Sequence, residues 1–282
     1  MKKPILIAAL ITALSFSSMT ADAQIKLPPA SSSQTIVQTL GISKATLTYN
    51  RPNTNGRKIF GGLVPLGEVW RTGANNIPVL TTETDLIVAG YELPPGSYGI
   101  FTIPNENEWT VIISSNSSQW GSYTYKQEED LFRFNVTPDH LPHPVESFTM
   151  GFADVTPTSA ALTIAWEQTA INFSLIFDQD KDIMASIDQA MSGSGNKPYF
   201  QAAQYYYNND KDMQKASEWI NEAANASPEA VHILYWKALI QLKAGDKAGA
   251  IATAESGVAL ATKNNNAEYV KLNTQVLENA RK

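Results

Sequence analysis

The sequence predicts an α+β protein with two domains: an antiparallel β-sandwich or partly closed barrel, followed by an array of helical hairpins. The first observation is a change in composition near Phe177. Before it, Thr, Ile, Val, Phe and Trp dominate, and apolar residues alternate with polar ones. After it, Ala, Lys, Gln and Asn dominate, and the prolines are Pro198 and Pro228. The second observation is a repeat with a period of 34 residues beyond Lys197.

The N-terminus has the features of a secretory signal peptide over residues 1–23. Lys2 and Lys3 precede an apolar run at Ile5–Phe16, and Ala21–Ala23 forms a small-x-small cleavage site, so the mature chain is expected to begin at Gln24. The run is too short for a retained membrane anchor, and no later run is long enough to span a bilayer. The expected location is the periplasm, with the extracellular space as the alternative.

Composition excludes several kinds of chemistry. The chain contains no cysteine, which excludes thiol catalysis, thiolate metal sites and iron–sulfur clusters, as well as lipoprotein processing. Its formal net charge is −6 and it has no basic tract, so nucleic acid is not an expected partner. No phosphate-binding loop, dinucleotide fingerprint or nucleophile elbow is present, and no cofactor is predicted.

Alternating apolar residues define the predicted β-sandwich, residues 45–177. Residues 24–44, with Pro28-Pro29 and a serine run, are expected to form an extended, mobile lead-in. Clean alternation indicates antiparallel strands with one buried face. Nine short strands are predicted, at Ala45–Tyr49, Val79–Thr81, Leu86–Ala89, Ser97–Ile103, Trp109–Ile113, Phe132–Val136, Phe148–Phe152, Leu162–Trp166 and Ile171–Phe177.

Motifs along this domain resemble a family of secreted bacterial domains of unknown function that is common in the Bacteroidetes. The strongest are Tyr49–Pro52, Gly56–Pro65 (GRKIFGGLVP) and Val69–Asn75 (VWRTGAN). Further matches are Leu93–Tyr98, Phe101–Pro104, Glu108–Val111 and Gln119–Gly121. The resemblance covers about Ile25 to Phe177. It implies an exported β domain, which in this family is often followed by helical repeats, and it implies no activity.

The segment Arg51–Asn76 is the predicted functional loop. It has no regular period, yet it contains three of the five arginines, a tryptophan and several glycines. Arginine forks bind carboxylate, sulfate or phosphate, and tryptophans stack on flat apolar faces such as sugars. The aromatic run Trp120–Tyr125 is expected to form either a second wall of the cleft or a buried edge whose Tyr hydroxyls are bonded locally. The candidate ligand-binding residues are Arg57, Trp70, Arg71, Asn75, Gln119, Trp120 and Tyr123.

A packing role for the same loop is an equally serious interpretation. Its apolar residues would then close one end of the sandwich: Ile59, Phe60, Leu63, Val64, Leu66, Val69 and Trp70. Arg71 would pair with Glu68 or Glu83, and the glycines would mark close backbone approaches. Both interpretations can hold for different residues.

Other chemistry-bearing residues carry weaker signals. His140 and His143 flank Pro142 and are interpreted as solvated loop residues, because no third metal ligand lies nearby in the sequence. The acidic run Glu128–Asp130 is predicted to be a solvated turn. Glu68 and Glu108 have no spacing that supports a glycosidase pair. No metal site is therefore predicted.

Residues 178–196 are predicted to form a helix that begins at Asp178, followed by a flexible linker at Ser192–Gly195. Residues 197–282 form the predicted helical domain. There Ala216 recurs as Ala250 and Ala223 as Gly257.

The repeat resembles two tetratricopeptide units over about Lys197–Asn264, with departures at Gln204 and Gln241. A last helix would cover the stack with one face. Its residues are Tyr269, Val270, Asn273, Val276, Leu277 and Ala280.

The sequence favours an exported, non-enzymatic binding module of the cell envelope. A small polar or glycan ligand would bind the β domain, and an envelope protein or peptide would bind the helical repeats. Two alternatives stay open: a hydrolase-like enzyme with its site at the Arg51–Asn76 loop, and a purely structural envelope protein.

Overall fold

The computed structural model describes residues 27–282. It divides into two compact units, with the boundary between Phe177 and Asp178. The described part of the first unit contains two antiparallel sheets, and the second unit contains six α-helices. The predicted α+β class with two domains is therefore confirmed. The signal peptide predicted for residues 1–23 lies outside the described residues.

Ten strands form the two sheets. In chain order they are β1 Ser32–Leu40, β2 Ser43–Arg51, β3 Val79–Thr82, β4 Leu86–Val88, β5 Tyr91–Leu93, β6 Gly96–Ile103, β7 Trp109–Ser114, β8 Asp130–Val136, β9 Asp139–Ala153 and β10 Ser159–Ile176. The six-stranded sheet has the order β1-β2-β3-β6-β7-β8, and the four-stranded sheet has the order β5-β4-β10-β9. All pairings within the sheets are antiparallel, as the alternation predicts.

The segment predicted as a mobile lead-in contains an edge strand. β1 pairs with β2 over its whole length, from Ser32 opposite Arg51 to Leu40 opposite Ser43. Only Leu40 of β1 is buried, and Val37 is 56% exposed. The weak burial explains why the hydrophobic pattern did not reveal this strand: backbone pairing with β2 holds it in the sheet.

The two strands predicted at Leu162–Trp166 and Ile171–Phe177 are one continuous strand, β10. Its pairing with β9 shifts register on both sides of Glu167, which has a positive φ of 53°. This irregularity interrupts the alternation without ending the strand. β9 begins at Asp139, so His140 and His143 lie on an edge strand and not in a loop, and both are exposed. Pro142 is tolerated there because an edge strand has one row of unpaired N–H positions.

The core of the first unit lies between the two sheets. Buried apolar side chains from both sheets form one large cluster, and a smaller cluster of Ile77, Phe101 and Ile112 is separate from it. Five aromatic rings lie at one end of the large cluster, with neighbouring centroids 4.8–6.4 Å apart: Phe60, Trp70, Trp109, Phe148 and Trp166. Trp109 comes from the six-stranded sheet, Phe148 and Trp166 come from the four-stranded sheet, and the other two come from the β2–β3 loop. The loop therefore contributes to the core.

The second unit is built from α1 Asp180–Ser192, α2 Tyr199–Asn208, α3 Met213–Ala226, α4 Val231–Lys243, α5 Lys247–Lys263 and α6 Ala267–Ala280. The first helix begins at Asp180, after the predicted Asp178, and its N-cap residue Gln179 makes no side-chain capping bond. By contrast, the carboxylate of Asp212 accepts hydrogen bonds from two backbone N–H groups at the start of α3. No helix in residues 27–282 is long and apolar enough to cross a membrane.

Small residues allow close packing between successive helices. Ala216 on α3 and Ala250 on α5, which are 34 positions apart, are both fully buried. Gly257 on α5 faces the buried Asn273 on α6, and an added Cβ at position 257 would collide with the Asn273 side chain. Val276 and Ala280 of α6 are also buried, so the last helix uses the predicted face.

The packing of these aromatic rings predicts how much a tryptophan substitution lowers the free energy of unfolding. Trp166 is 2% exposed, whereas Trp120 in the β7–β8 connection is 60% exposed. We expect Trp166→Ala to lower the free energy of unfolding by about 3–5 kcal/mol, because it leaves a cavity among packed rings. The matched Trp120→Ala should cost about 1 kcal/mol or less. Urea unfolding of both variants measures the difference, and equal losses would contradict the described core.

Candidate functional site

The β2–β3 loop is hydrogen-bonded to both sheets. Trp70 exchanges two backbone hydrogen bonds with Thr102 of β6, with N···O distances of 2.8 and 3.0 Å. On the other side Asn53 forms a bridge with Ser147 of β9. A third bridge joins Asn76 to Trp120 in the β7–β8 connection. These contacts fix the course of a long loop that contains no regular strand or helix.

Part of this loop packs into the core, as the packing interpretation predicts. Ile59 and Val64 are buried, and the Trp70 ring stacks on Trp166 at a centroid distance of 5.9 Å and an interplanar angle of 11°. Leu63 and Leu66, which were expected to belong to the same plug, are exposed. The loop therefore has a buried apolar part and an exposed rim.

The rim borders a cavity of 560 Å³, which we call the arginine pocket. Small-molecule sites usually have volumes of about 300–1,000 Å³. Five of the predicted ligand-binding residues line the cavity: Arg57, Trp70, Arg71, Asn75 and Tyr123. Glu68 contributes one carboxylate to the lining, and Trp166 contributes part of an indole ring. The two guanidinium groups and the Glu68 carboxylate together give the lining a formal charge of +1, whereas the net charge of the whole chain is −6.

The other two predicted residues lie elsewhere. Gln119 and Trp120 line a separate cavity of 480 Å³, which we call the neutral pocket. Gln119 is only 6% exposed, and its side-chain amide donates to the carbonyl of Gly121 at 3.1 Å and accepts from Asn116 at 3.3 Å. Gln119 therefore stabilises the β7–β8 connection, while Trp120 is exposed to solvent.

The two arginines of the pocket have different surroundings. Arg57 donates from Nε to the carbonyl of Thr54 at 2.8 Å and from Nη2 to the carbonyl of Asn53 at 2.7 Å. Arg71 donates from Nε to the carbonyl of Gly73 at 3.3 Å. Its two terminal nitrogens have no hydrogen-bond partner among residues 27–282. Arg57 therefore supports the loop backbone, whereas Arg71 retains a free fork of donors.

The expected ion pair of Arg71 with Glu68 or Glu83 does not form. Glu83 pairs instead with Lys44 at 3.0 Å, across the β2–β3 pairing. Within the described part of the chain, Arg71 takes part in no salt bridge. Its guanidinium carbon lies 5.8 Å from the centroid of the Trp120 ring, which is a cation–π geometry.

Trp120 and Tyr123 form an exposed aromatic pair beside Arg71. Their rings stack at 5.8 Å with an interplanar angle of 24°. Gly121 between them has a φ of 71°, and an added Cβ would lie 2.8 Å from the Tyr123 ring. Only glycine therefore fits this position without displacing Tyr123.

The residue after Arg71 has a strained backbone. Thr72 is β-branched, has a positive φ of 55° and is fully buried. Its hydroxyl is 3.0 Å from the hydroxyl of Thr102, and the residue follows the Trp70 bridge to the same strand. Such outliers persist only where the surroundings hold them, and they are common at functional sites.

A carboxylate from the four-stranded sheet holds the other end of the loop. Glu146 on β9 accepts a short hydrogen bond from the Thr54 hydroxyl and one of 2.9 Å from the backbone N–H of Asn55. These bonds, with a smaller contribution from the charge of Arg57, lower the pKa of the Glu146 carboxyl below its ordinary value of 4.5. Sequence reasoning missed Glu146, because it lies about 90 positions from the loop along the chain. It missed Trp166 as a pocket residue for the same reason, although alternation places that residue on a buried face.

The remaining candidates do not form a site. Among residues 27–282, no group of three or more His, Asp or Glu side chains is arranged to hold a metal ion. The acidic run is not wholly solvated. The Asp130 carboxylate binds Arg133 Nε at 2.6 Å and accepts from the Tyr125 hydroxyl at 2.7 Å. Burial and this bond to Asp130 raise the pKa of Tyr125 to about 12.

The fold and the loop define a class: a two-sheet antiparallel β domain, with a pocket at its β2–β3 loop, followed by a helical unit. Residues 31–175, just over half of the chain, match the family described as "Protein of unknown function (DUF2911)". The chain therefore belongs to this family, which confirms a β-rich domain of unknown function. Comparisons with curated proteins and with solved structures found no match.

The hydrogen bonds of Glu146 make part of the stability dependent on pH. Because the folded-state pKa is lowered, the ionised carboxylate stabilises the folded state above about pH 4.5, and this contribution is lost as the pH falls through the lowered pKa. We expect Glu146→Gln to be less stable than the unaltered chain at pH 7 and to approach it in stability as the pH falls below about 4.5. Urea unfolding between pH 3 and about 7 measures the gap. A gap that is the same at every pH would show that the charge of Glu146 does not hold the loop.

Proposed function

We propose that this protein is an exported, non-enzymatic binding module, and that its arginine pocket takes a small polar ligand with an anionic group. The observation that carries the proposal is the Arg71 guanidinium. It lines a cavity of 560 Å³, and its two terminal nitrogens have no hydrogen-bond partner among the described residues. A planar fork of free donors matches the two oxygens of a carboxylate or the oxygens of a sulfate or phosphate.

The rest of the lining supports the same class of ligand. Asn75 adds a neutral polar side chain, and Tyr123, which is 78% exposed, offers a flat ring beside the guanidinium. Arg57 adds a second positive charge, although its fork is already bonded to two backbone carbonyls. An anionic group at Arg71 with a flat, weakly polar body against Tyr123 would satisfy both features.

The lining favours binding over hydrolysis. A hydrolase of the two-carboxylate type requires a pair of acidic groups that face each other at a set separation. Glu68 is the carboxylate that lines the arginine pocket in the described residues, and two arginines and two tryptophans line it as well. Glu108 bonds instead to Asn135, with an Nδ2···Oε2 distance of 2.8 Å.

For the helical unit we propose a tetratricopeptide-like arrangement that binds an envelope protein or peptide. The support is the repeat of small buried residues, with Ala216 and Ala250 both fully buried at the predicted spacing. Two repeats are fewer than the usual minimum of about three. Met184 and Ile187 of α1 pack against the cluster formed by α2–α4, which adds buried area to a short array.

The proposal predicts different effects for Arg71 variants. The mature chain would be tested by thermal shift against glucuronate, glucose 6-phosphate, glucose 6-sulfate and uncharged glucose. We expect at least one anionic compound, and not glucose, to raise Tm. Arg71→Ala should weaken binding of that compound by about 10- to 100-fold, because a charged hydrogen-bonding group is lost. Arg71→Lys should show an intermediate loss, since it keeps the charge but not the fork.

One further variant is a control for binding, and another tests the structural role of Arg57. Arg281→Ala removes an exposed arginine of the helical unit and should leave binding unchanged. Arg57→Ala should lower stability without ligand by about 1–2 kcal/mol, because two hydrogen bonds to the loop backbone are lost. A panel in which no anion raises Tm, or equal binding by Arg71→Ala and the unaltered chain, would refute the proposed site.

A further inference from the structure

The neutral pocket has a chemistry different from that of the arginine pocket. Among residues 27–282, no acidic, basic or histidine side chain lines it. Instead it presents hydroxyl and amide groups and one exposed indole: Ser33, Thr48, Asn50, Asn76, Ser117 and Trp120. A cavity of 480 Å³ with such a lining suits a neutral ligand that carries several hydroxyl groups.

Several of these polar groups are free to bind a ligand. The side chains of Ser33, Asn76 and Ser117 and the indole N–H of Trp120 make no hydrogen bond within residues 27–282. They combine hydroxyls and an amide, which both donate and accept, with an indole N–H, which only donates. Hydroxyl groups on a sugar ring also donate and accept, so the two sets are complementary.

The position of Trp120 is fixed by the backbone on both sides. Ile77 N–H donates to the carbonyl of Gln119 at 3.1 Å, and Gly121 N–H donates to the carbonyl of Asn75 at 2.8 Å. The buried Gln119 side chain bonds within the same turn. An exposed ring on a fixed backbone loses little conformational freedom when a ligand stacks on it. Trp120 is therefore a preformed platform for a flat apolar face.

The two pockets flank the exposed aromatic pair. Tyr123 lines the arginine pocket and Trp120 lines the neutral pocket, and their ring centroids are 5.8 Å apart. Asn75 and Asn76, which are adjacent in the chain, line one pocket each. A ligand that crosses this pair would therefore meet a free guanidinium on one side and uncharged hydrogen-bonding groups on the other.

We propose that the two pockets are neighbouring subsites for an acidic oligosaccharide. An anionic sugar residue would bind Arg71, and a neutral sugar residue in the same chain would bind the neutral pocket, stacked on Trp120. The inference rests on the proposed function, since it assigns the anionic group to the arginine pocket. It extends that function by naming the ligand class and a second subsite with an uncharged lining.

A glycan array tests the inference with the mature chain. The array carries uronate-, sulfate- and phosphate-bearing oligosaccharides of two to six residues, their neutral counterparts and the anionic monosaccharides. We expect the protein to bind the acidic oligosaccharides more strongly than their neutral counterparts and more strongly than the anionic monosaccharides. The three anionic series distinguish the source of the charge. Calorimetry with the best tetrasaccharide and with its anionic monosaccharide then gives the ratio of the two affinities.

Variants of the neutral pocket should change that ratio. We expect Trp120→Ala to lower the preference for the tetrasaccharide over the monosaccharide by about tenfold. Asn76→Ala removes an exposed side chain that makes no hydrogen bond within the described part of the chain, and it should also lower this preference. Tyr91→Ala is the matched control, because Tyr91 is an exposed aromatic residue that lines none of the cavities described above.

The outcomes separate this inference from the proposed function. If only anionic monosaccharides bind, or if neither neutral-pocket variant changes the ratio, the second subsite is refuted and the arginine pocket stands. If only neutral oligosaccharides bind, two claims are refuted: that an acidic oligosaccharide spans both pockets, and that Arg71 binds its anionic group.

Discussion

The backbone pairing of Trp70 with Thr102 is the contact on which the rest of the β unit depends. It holds a long irregular loop against the six-stranded sheet while the Trp70 ring stacks on Trp166 of the four-stranded sheet. One residue thereby ties its own loop to both layers of the sandwich. The next residues turn sharply through the strained Thr72, and this turn brings the chain from the core to the rim of a cavity. The same segment therefore supplies both a packed ring of the core, Trp70, and a guanidinium group of the pocket, Arg71.

Much of the fold could be predicted from hydrophobic periodicity, because a strand with one buried face leaves a period of two in the sequence. This periodicity did not reveal a strand correctly where backbone pairing is not accompanied by regular burial of one face. β1 is held by backbone hydrogen bonds and buries little, so its sequence resembles a linker. β10 is continuous across Glu167, yet the register shifts there remove the alternation that would have shown it as one strand. The helical unit could be predicted for another reason: small residues recur at a fixed spacing, and Ala216 and Ala250 of that pattern are buried.

The candidate site could be predicted only in its local part. Arg57, Arg71 and Asn75 were found because they belong to one unusual loop, and Tyr123 because it belongs to a second aromatic run. The sequence could not show that Trp120 and Gln119 lie on another cavity, since this depends on how Asn76 pairs with the β7–β8 connection. It also could not show which arginine is free. Two arginines in one loop look equivalent in a sequence, and only the nearby carbonyls distinguish them.

The division of the loop into a buried part and an exposed rim has a consequence for divergence within the family. The packed rings of the core and the Glu146 bonds that anchor the loop involve side chains other than the exposed Trp120, Tyr123 and Asn76. Substitutions at these exposed positions change the surface beside the two cavities at little cost in stability, whereas substitutions at the buried rings endanger folding. One scaffold can therefore acquire different ligand preferences by changing a few rim residues, with the loop backbone and both sheets unchanged.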